Sequence, residues 1–240
     1  MSLTTKIELF GWRAVRWTYD RILIPLKRPI IISFQRKLSQ IDTRNIEKTF
    51  DFSIGFRSFG LNIKPLQIKT EFISFEDFIL GYTTKIRNIM EVGTGNGGTL
   101  FLFSQLLEQG GLIITLDNYK FPKWKEEFFS NFHKSAIIKI ITGSSFNRDT
   151  IFKVKTALGS AKLDLLFIDA DHTYEGVKND FEKFAPLVKD DGIIAFHDIV
   201  PGRENGVPIF FEELKKKYAF EEFKVKQFGW GGIGVIRYRK

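Results

Sequence analysis

The 240-residue chain contains no cysteine. That excludes disulfides, thiolate metal sites and a cysteine nucleophile, and it fits a reducing compartment. Long hydrophobic runs are also missing. The longest apolar stretches near the start, 22–26 and 29–34, are separated by Lys27 and Arg28. Neither approaches the roughly 20 residues that span a bilayer. No apolar core with a small-residue cleavage site follows the first residues, so no secretory signal is expected and the protein is read as cytoplasmic. No internal repeat stands out.

Phenylalanine, by contrast, is abundant at 26 residues, against 4 tryptophans and 6 tyrosines. Large aromatics bury the most apolar area per residue, which predicts a Phe-packed core. The net charge of +8 is uneven: residues 1–48 hold ten Lys/Arg against four Asp/Glu. The basic character therefore belongs to an N-terminal arm. Three readings of that arm follow from its composition. It is a solvated helix face that also packs against a second subunit in a homo-oligomer. Or, with Trp12 and Trp17 among arginines, it makes peripheral contact with an acidic membrane or a lipid-linked glycan. Or it binds RNA, the weaker partner assignment.

From residue 86 onward, short apolar runs alternate with amphipathic segments. Strands are predicted at 86–92, 112–117, 137–142, 163–169 and 192–197, with helices at 96–108, 122–132, 147–158 and 173–188 between and after them. In the last helix Tyr174, Val177, Phe181 and Phe184 make an apolar stripe, with Lys178, Asp180, Glu182 and Lys183 on its polar side. Serial β–α units imply a parallel sheet covered on both faces. A helix over 207–218 precedes two strands, 220–227 and 232–238, joined too closely to be parallel. The fold class is thus α/β, a seven-stranded mostly parallel sheet with one antiparallel strand and an N-terminal helical extension. The domains are read as 1–80, a basic helical cap, and 81–240, a ligand-binding domain. Within the cap, Leu3, Ile7, Phe10, Ala14 and Trp17 line one helix face that Pro25 and Pro29 interrupt, and a second helix starts near Pro65 and runs to about Leu80.

The strongest local signal is Glu91-Val-Gly-Thr-Gly-Asn-Gly-Gly98, between a strand and a helix. Gly93, Gly95 and Gly98 also satisfy the dinucleotide fingerprint, so a nicotinamide-dependent oxidoreductase is an alternative. The carboxylates argue against it. Glu91, Asp117 and Asp169 end the first, second and fourth strands, and parallel strands deliver those ends to one crevice. Three carboxylates repel a pyrophosphate, on the order of 4 kcal/mol per close pair at an effective dielectric near 20. They suit a ligand with a ribose diol, an amino group and a sulfonium.

These residues resemble the glycine motif of class I S-adenosylmethionine (SAM)-dependent methyltransferases. The resemblance implies a Rossmann-like fold with strand order 3-2-1-4-5-7-6. It also implies SAM contacts at Glu91, Gly93, Thr94, Gly95, Gly97, Asp117 for the ribose, Ser144 and Ser145 near the adenine, and Asp169. A second block, from Phe167-Ile-Asp-Ala-Asp-His-Thr-Tyr to Gly192-Ile-Ile-Ala-Phe-His-Asp-Ile199, resembles the cephalosporin-hydroxylase and macrocin-type O-methyltransferases. In that group the matching positions for a divalent metal, Mg²⁺ or Mn²⁺, are Asp169, His197 and Asp198. His197 departs from the group's carboxylate or amide, so it is a ligand to a softer ion, a general base beside a metal held by Asp169 and Asp198, or a strand-end histidine with no catalytic role. Asp169, His197 and His172 are the catalytic candidates, Asp171 is a further possible ligand, and Gln67 and Glu71 lie on the helix before the first strand. The predicted activity is methyl transfer to a hydroxyl of a small-molecule or glycan-like acceptor. RNA methylation is the remaining alternative, disfavoured because Asp169-Ala-Asp-His stands where planar-base enzymes carry a Pro-Pro-aromatic run.

Overall fold

The computed structural model describes residues 15, 18, 21–82, 85–202, 206–225 and 229–239. The helix expected around Leu3–Trp17 and the aromatic residues Trp12 and Trp17 lie outside these. Seven strands form the central sheet: β1 (Asn88–Val92), β2 (Leu112–Asp117), β3 (Ile137–Thr142), β4 (Leu163–Ile168), β5 (Val188–His197), β6 (Phe220–Phe223) and β7 (Ile233–Tyr238). Their spatial order is β3-β2-β1-β4-β5-β7-β6. Only β7 runs against its neighbours, pairing antiparallel with both β5 and β6. This is the order expected from the sequence. The parallel registers Glu91↔Thr115, Asp117↔Thr142 and Ile168↔Phe196 bring the C-terminal ends of β1 to β5 out on one edge. β5 starts earlier than expected, but its pairing with β4 jumps from Val188 to Ile193, and Asp191 within the jump takes φ +60°.

Both sheet faces are covered, and the strand period of two assigns each residue to a side. Ile89, Ile113, Leu165, Phe167 and Val235 face a phenylalanine-rich layer. Met90, Ile114, Leu166, Ile194 and Phe196 face the other layer, built with Val154, Val177, Phe184 and Phe211. The largest fully buried side chains are all phenylalanine, among them Phe34, Phe72, Phe101, Phe128 and Phe132. Phe34 alone makes edge or tilted ring contacts with Phe52, Phe56, Phe101, Phe128 and Phe132 at centroid distances of 5.2–5.8 Å, the geometry that ring quadrupoles favour.

Four helices of the Phe-rich layer precede or follow β1: α1 (Lys27–Leu38), α2 (Ile46–Gly55), α3 (Lys69–Tyr82) and α4 (Gly98–Leu106). Proline placement accounts for two departures from expectation. Pro29 does not interrupt a helix. It is the third residue of α1, where its missing N–H is one of the orphan donors of a helix start. Pro65 does not open α3, which begins at Lys69. The backbone of Ile63 and Pro65 instead presses on Gly98, where any Cβ would collide with it. α2 starts at an Asn45 N-cap whose side chain accepts from the Lys48 amide. The remaining helices are α5 (Lys123–Phe129), α6 (Arg148–Leu158), α7 (Tyr174–Phe184) and α8 (Gly206–Lys215). No helix among the described residues is long and apolar enough to cross a membrane.

Candidate functional site

A cavity of about 970 Å³ runs along the C-terminal edge of the sheet. Its floor is the β1–α4 turn. Gly93, Gly95 and Gly97 have φ of +103°, +53° and +85°, a region that side-chain-bearing residues rarely adopt. Gly97 is the α4 N-cap and lies against Phe129, so it shapes the turn without facing the cavity. Gly93, Thr94, Gly95, Ser144, Ser145, Asp117 and Asp169 all line the cavity.

The three strand-end carboxylates are neighbours, in two layers. Asp117 accepts from the amides of Gly95 (3.1 Å) and Tyr119 (2.7 Å). Asp169 accepts from Gln67 Nε2 at 2.7 Å. Glu91 lies behind the cavity wall, because the period-two rule turns it with Ile89 toward the Phe-rich layer. It is fully buried, its Oε2 accepts from Thr115 Oγ1 at 2.6 Å, and its Oε1 has no partner. Burial, aided by the charges of Asp169 and Asp117 and opposed by the Thr115 hydroxyl, pushes its carboxyl up to about 8.

Beyond Asp169 the cavity holds a second cluster. His197, 4% exposed, places Nδ1 at 3.3 Å from both Asp169 Oδ1 and Asp198 Oδ2. Its Nε2 is buried without a partner. Burial works against its charge, but Asp169 and Asp198 outweigh that and push it up to about 10. Burial likewise opposes the Asp169 charge, and here His197 and His172 outweigh it, holding the carboxyl below the usual range. His172 Nε2 lies 3.4 Å from Asp198 Oδ2 and 3.8 Å from Asp169 Oδ1. Asp198 has φ +60°. Strained backbone of this kind concentrates at functional sites, and amides of Ile199 and Val200 bonded to Gly232 and Gly231 hold it in place.

All the expected metal and catalytic residues thus meet. The atoms at mutual coordinating range belong to Asp169, His172 and Asp198, within 4.8 Å of one another. His197 sits behind them, bridging the two carboxylates through Nδ1. Two carboxylate oxygens and one imidazole are a donor set that fits a divalent ion of the Mn²⁺ type better than Mg²⁺. Asp171 also lines the cavity but is not one of these three, and its Oδ1 accepts from the Thr173 amide.

Several site residues carried weak signals or none in the sequence. Gln67 is buried just ahead of α3 and couples Asp169 to Thr99, whose hydroxyl it accepts at 2.7 Å. Glu71, buried on α3, accepts from the amides of Val225 and Gly232. It thereby holds the β6–β7 connection that carries Trp230 to the cavity mouth. Asp180, expected on the polar face of α7, is 1% exposed and lines the cavity.

Comparison with known proteins gives this geometry a context. Residues 90–199 match the family described as "Methyltransferase domain". An uncharacterized mimivirus protein, R132, is 33% identical over 113 residues, which is 45% of this chain and 50% of R132. The chain spans half or less of the length of the curated relatives it matches. The fold resembles that of an O-methyltransferase from Bacillus cereus solved with S-adenosylhomocysteine (SAH), at TM-score 0.53 and 18% identity, covering 95% of this chain and 99% of that one. It also resembles the methyltransferase MycE, solved with Mg, SAH and mycinamycin VI, at TM-score 0.54 and 14% identity over 83% of this chain and 54% of that one. The matched segment runs from within β1 to just past β5, and the chain shares the Rossmann-like fold of these solved methyltransferases along nearly its whole length.

Proposed function

We propose that this chain binds SAM along the cavity, closed on one side by residues 64–67, and transfers its methyl group to a hydroxyl oxygen of a small polyhydroxylated or glycan-like acceptor. The observation that carries the reading is the layered carboxylate group at the strand ends beside a glycine turn. Asp117 would accept from a ribose diol, and Asp169, backed by Glu91, would offer negative charge to a cationic donor. A pyrophosphate would meet the same carboxylates, which is why a nicotinamide dinucleotide fits poorly.

SAM arrives already activated, so the protein's task is alignment and exclusion of water. Asp169, His172 and Asp198 are the residues that would hold a divalent ion. Such an ion supplies orientation of the acceptor hydroxyl and a lowered hydroxyl pKa. His197 fixes the two carboxylates relative to each other. His172, half-exposed beside them, takes up the acceptor proton when it is not a ligand.

Calorimetric titration tests the donor assignment. SAM and SAH are expected to bind and NAD is not, and heat from NAD alone overturns the reading. With an acceptor in hand, Asp169→Asn is expected to lower kcat about a hundredfold while SAH still binds, since it removes charge aimed at the reacting centre. Turnover that survives exhaustive chelation and the Asp198→Ala change removes the metal from the scheme.

A further inference from the structure

Helix α1 and the 3₁₀ turn that leads into it, Ile24–Leu26, present two unlike faces. Leu23, Ile30, Ile31 and Phe34 are buried in the Phe-rich layer. On the other side Ile22, Ile24 and Ile32 are 64%, 47% and 63% exposed, and Pro25 and Pro29 are exposed with them. Pro25, Pro29, Ile32 and Arg36 follow one another at spacings of four, three and four, which sets them along one stripe of the helix. Single exposed apolar residues are ordinary, but a row of them marks a contact surface. The charge on this row has one sign. Arg21, Arg28 and Arg36 are exposed beside the isoleucines, and no Asp or Glu occurs anywhere from Arg21 to Gln40. Two further cations are tied back to the fold, Lys27 to Glu127 at 3.5 Å and Lys37 to the Arg57 carbonyl at 3.1 Å. Among the described residues Arg28 and Arg36 have no ion pair.

The residues between the arginines choose the partner. A second copy of the chain would set arginine against arginine with no acid on the face to answer it, and like charges brought together oppose association. Nucleic acid would satisfy the arginines, but branched aliphatic side chains and prolines give its bases no ring to stack on. An anionic bilayer answers both kinds of residue. Its phosphates pair with the guanidinium groups, whose stems lie along apolar surface, and isoleucine side chains enter the boundary between headgroups and acyl chains. We propose that this face of α1 docks the folded protein on a membrane surface that contains anionic phospholipid. The opposite face stays in the core, so the contact is shallow and needs no unfolding. None of these residues lines the cavity, and docking is independent of what the cavity binds.

Flotation of the full chain with vesicles tests this. One set is phosphatidylcholine alone, and the other an equal mixture of phosphatidylcholine and phosphatidylglycerol. Binding is expected to the mixed vesicles only and to weaken as salt rises. Replacing both exposed arginines, Arg28→Gln with Arg36→Gln, is expected to weaken it about 30-fold, roughly fivefold for each cation near an anionic surface. Ile32→Ser is expected to weaken it about tenfold and leave its salt dependence unchanged, as the loss of an apolar contact does. The three positions are exposed, so both variants should melt as the wild type does. Equal binding to the two vesicle types, or binding to neither, overturns the assignment. Binding that survives both variants places the contact elsewhere in the chain and overturns it too. Polyuridylate that displaces the vesicles, and binds Ile32→Ser as well as the wild type, overturns it in favour of nucleic acid.

Discussion

Gly93→Ala is expected to abolish SAH binding and to lower Tm by about 10 °C, whereas Gly95→Ala, two residues on, leaves a folded protein. Gly93 has φ +103°, and a Cβ there would fall on the carbonyl oxygen and carbon of Asp169 and close to the Ala170 Cα. Those are backbone atoms at the end of β4, so no side chain can swing aside. The Gly93 amide is bonded to Leu116 O and the Asp169 amide to Val92 O, which fixes both partners of the collision. Relief requires β1 and β4 to part at the cavity floor. Strain at a special backbone position combined with overpacking costs about 3–5 kcal/mol, and a chain of this length loses roughly 2–4 °C per kcal/mol. Gly95 also has positive φ, +53°, but its Cβ would meet nothing within 4 Å. It pays only the left-handed penalty of about 1–2 kcal/mol, and its methyl projects into open space. Scanning calorimetry and SAH titration of both variants separate the two effects. Equal melting temperatures for Gly93→Ala and the wild type would falsify the account of the turn.

The sheet was legible because each strand from 112 to 168 is an apolar run between turn residues, and serial β–α units leave few topologies. The carboxylates at strand ends were legible for the same reason: strand boundaries fix which residues reach the crevice. What periodicity cannot show is what covers a polar face. Asp180 reads as one of several hydrophilic residues on α7, yet the β3–α6 loop lies over it and buries it. Glu91 reads as a cavity residue because it stands two places before Gly93. Its parity with Ile89 and Phe167 puts it instead behind the wall, and parity says little about exposure in a sheet covered on both faces. Helix α1 was hidden by Pro29, whose position in a first helical turn is harmless but looks like a break in the sequence. The choice between His172 and His197 as the third group at coordinating range depends on the turn after β4, and the left-handed conformation of Asp198 that aims its carboxylate has no sequence marker.

The buried Glu91 carboxyl makes the stability of the ligand-free protein fall with rising pH, and Glu91→Gln is expected to remove that dependence. Its ordinary pKa is 4.5 and the folded protein raises it to about 8. Below pH 4.5 the group is protonated in both folded and unfolded chains and contributes no penalty. As pH rises from 4.5 to 8 the unfolded chain ionises while the folded one resists, so stability is lost across that window and the loss is complete above it. The raised pKa corresponds to about 5 kcal/mol as an upper figure. Glutamine mimics the protonated form: its carbonyl can accept from Thr115 and its amide takes the place of the unpartnered oxygen. Glu91→Gln should therefore match the wild type near pH 4.5 and exceed it by about 3–5 kcal/mol at pH 9 in denaturant titrations. A sulfonium beside Asp169 favours ionised Glu91, so SAM binding near pH 7 should release more protons than SAH binding, which brings no sulfonium charge. That difference, read from titrations in buffers of different ionisation enthalpy, should vanish in Glu91→Gln; if it persists, the proton comes from another group and Glu91 plays no part in holding the donor.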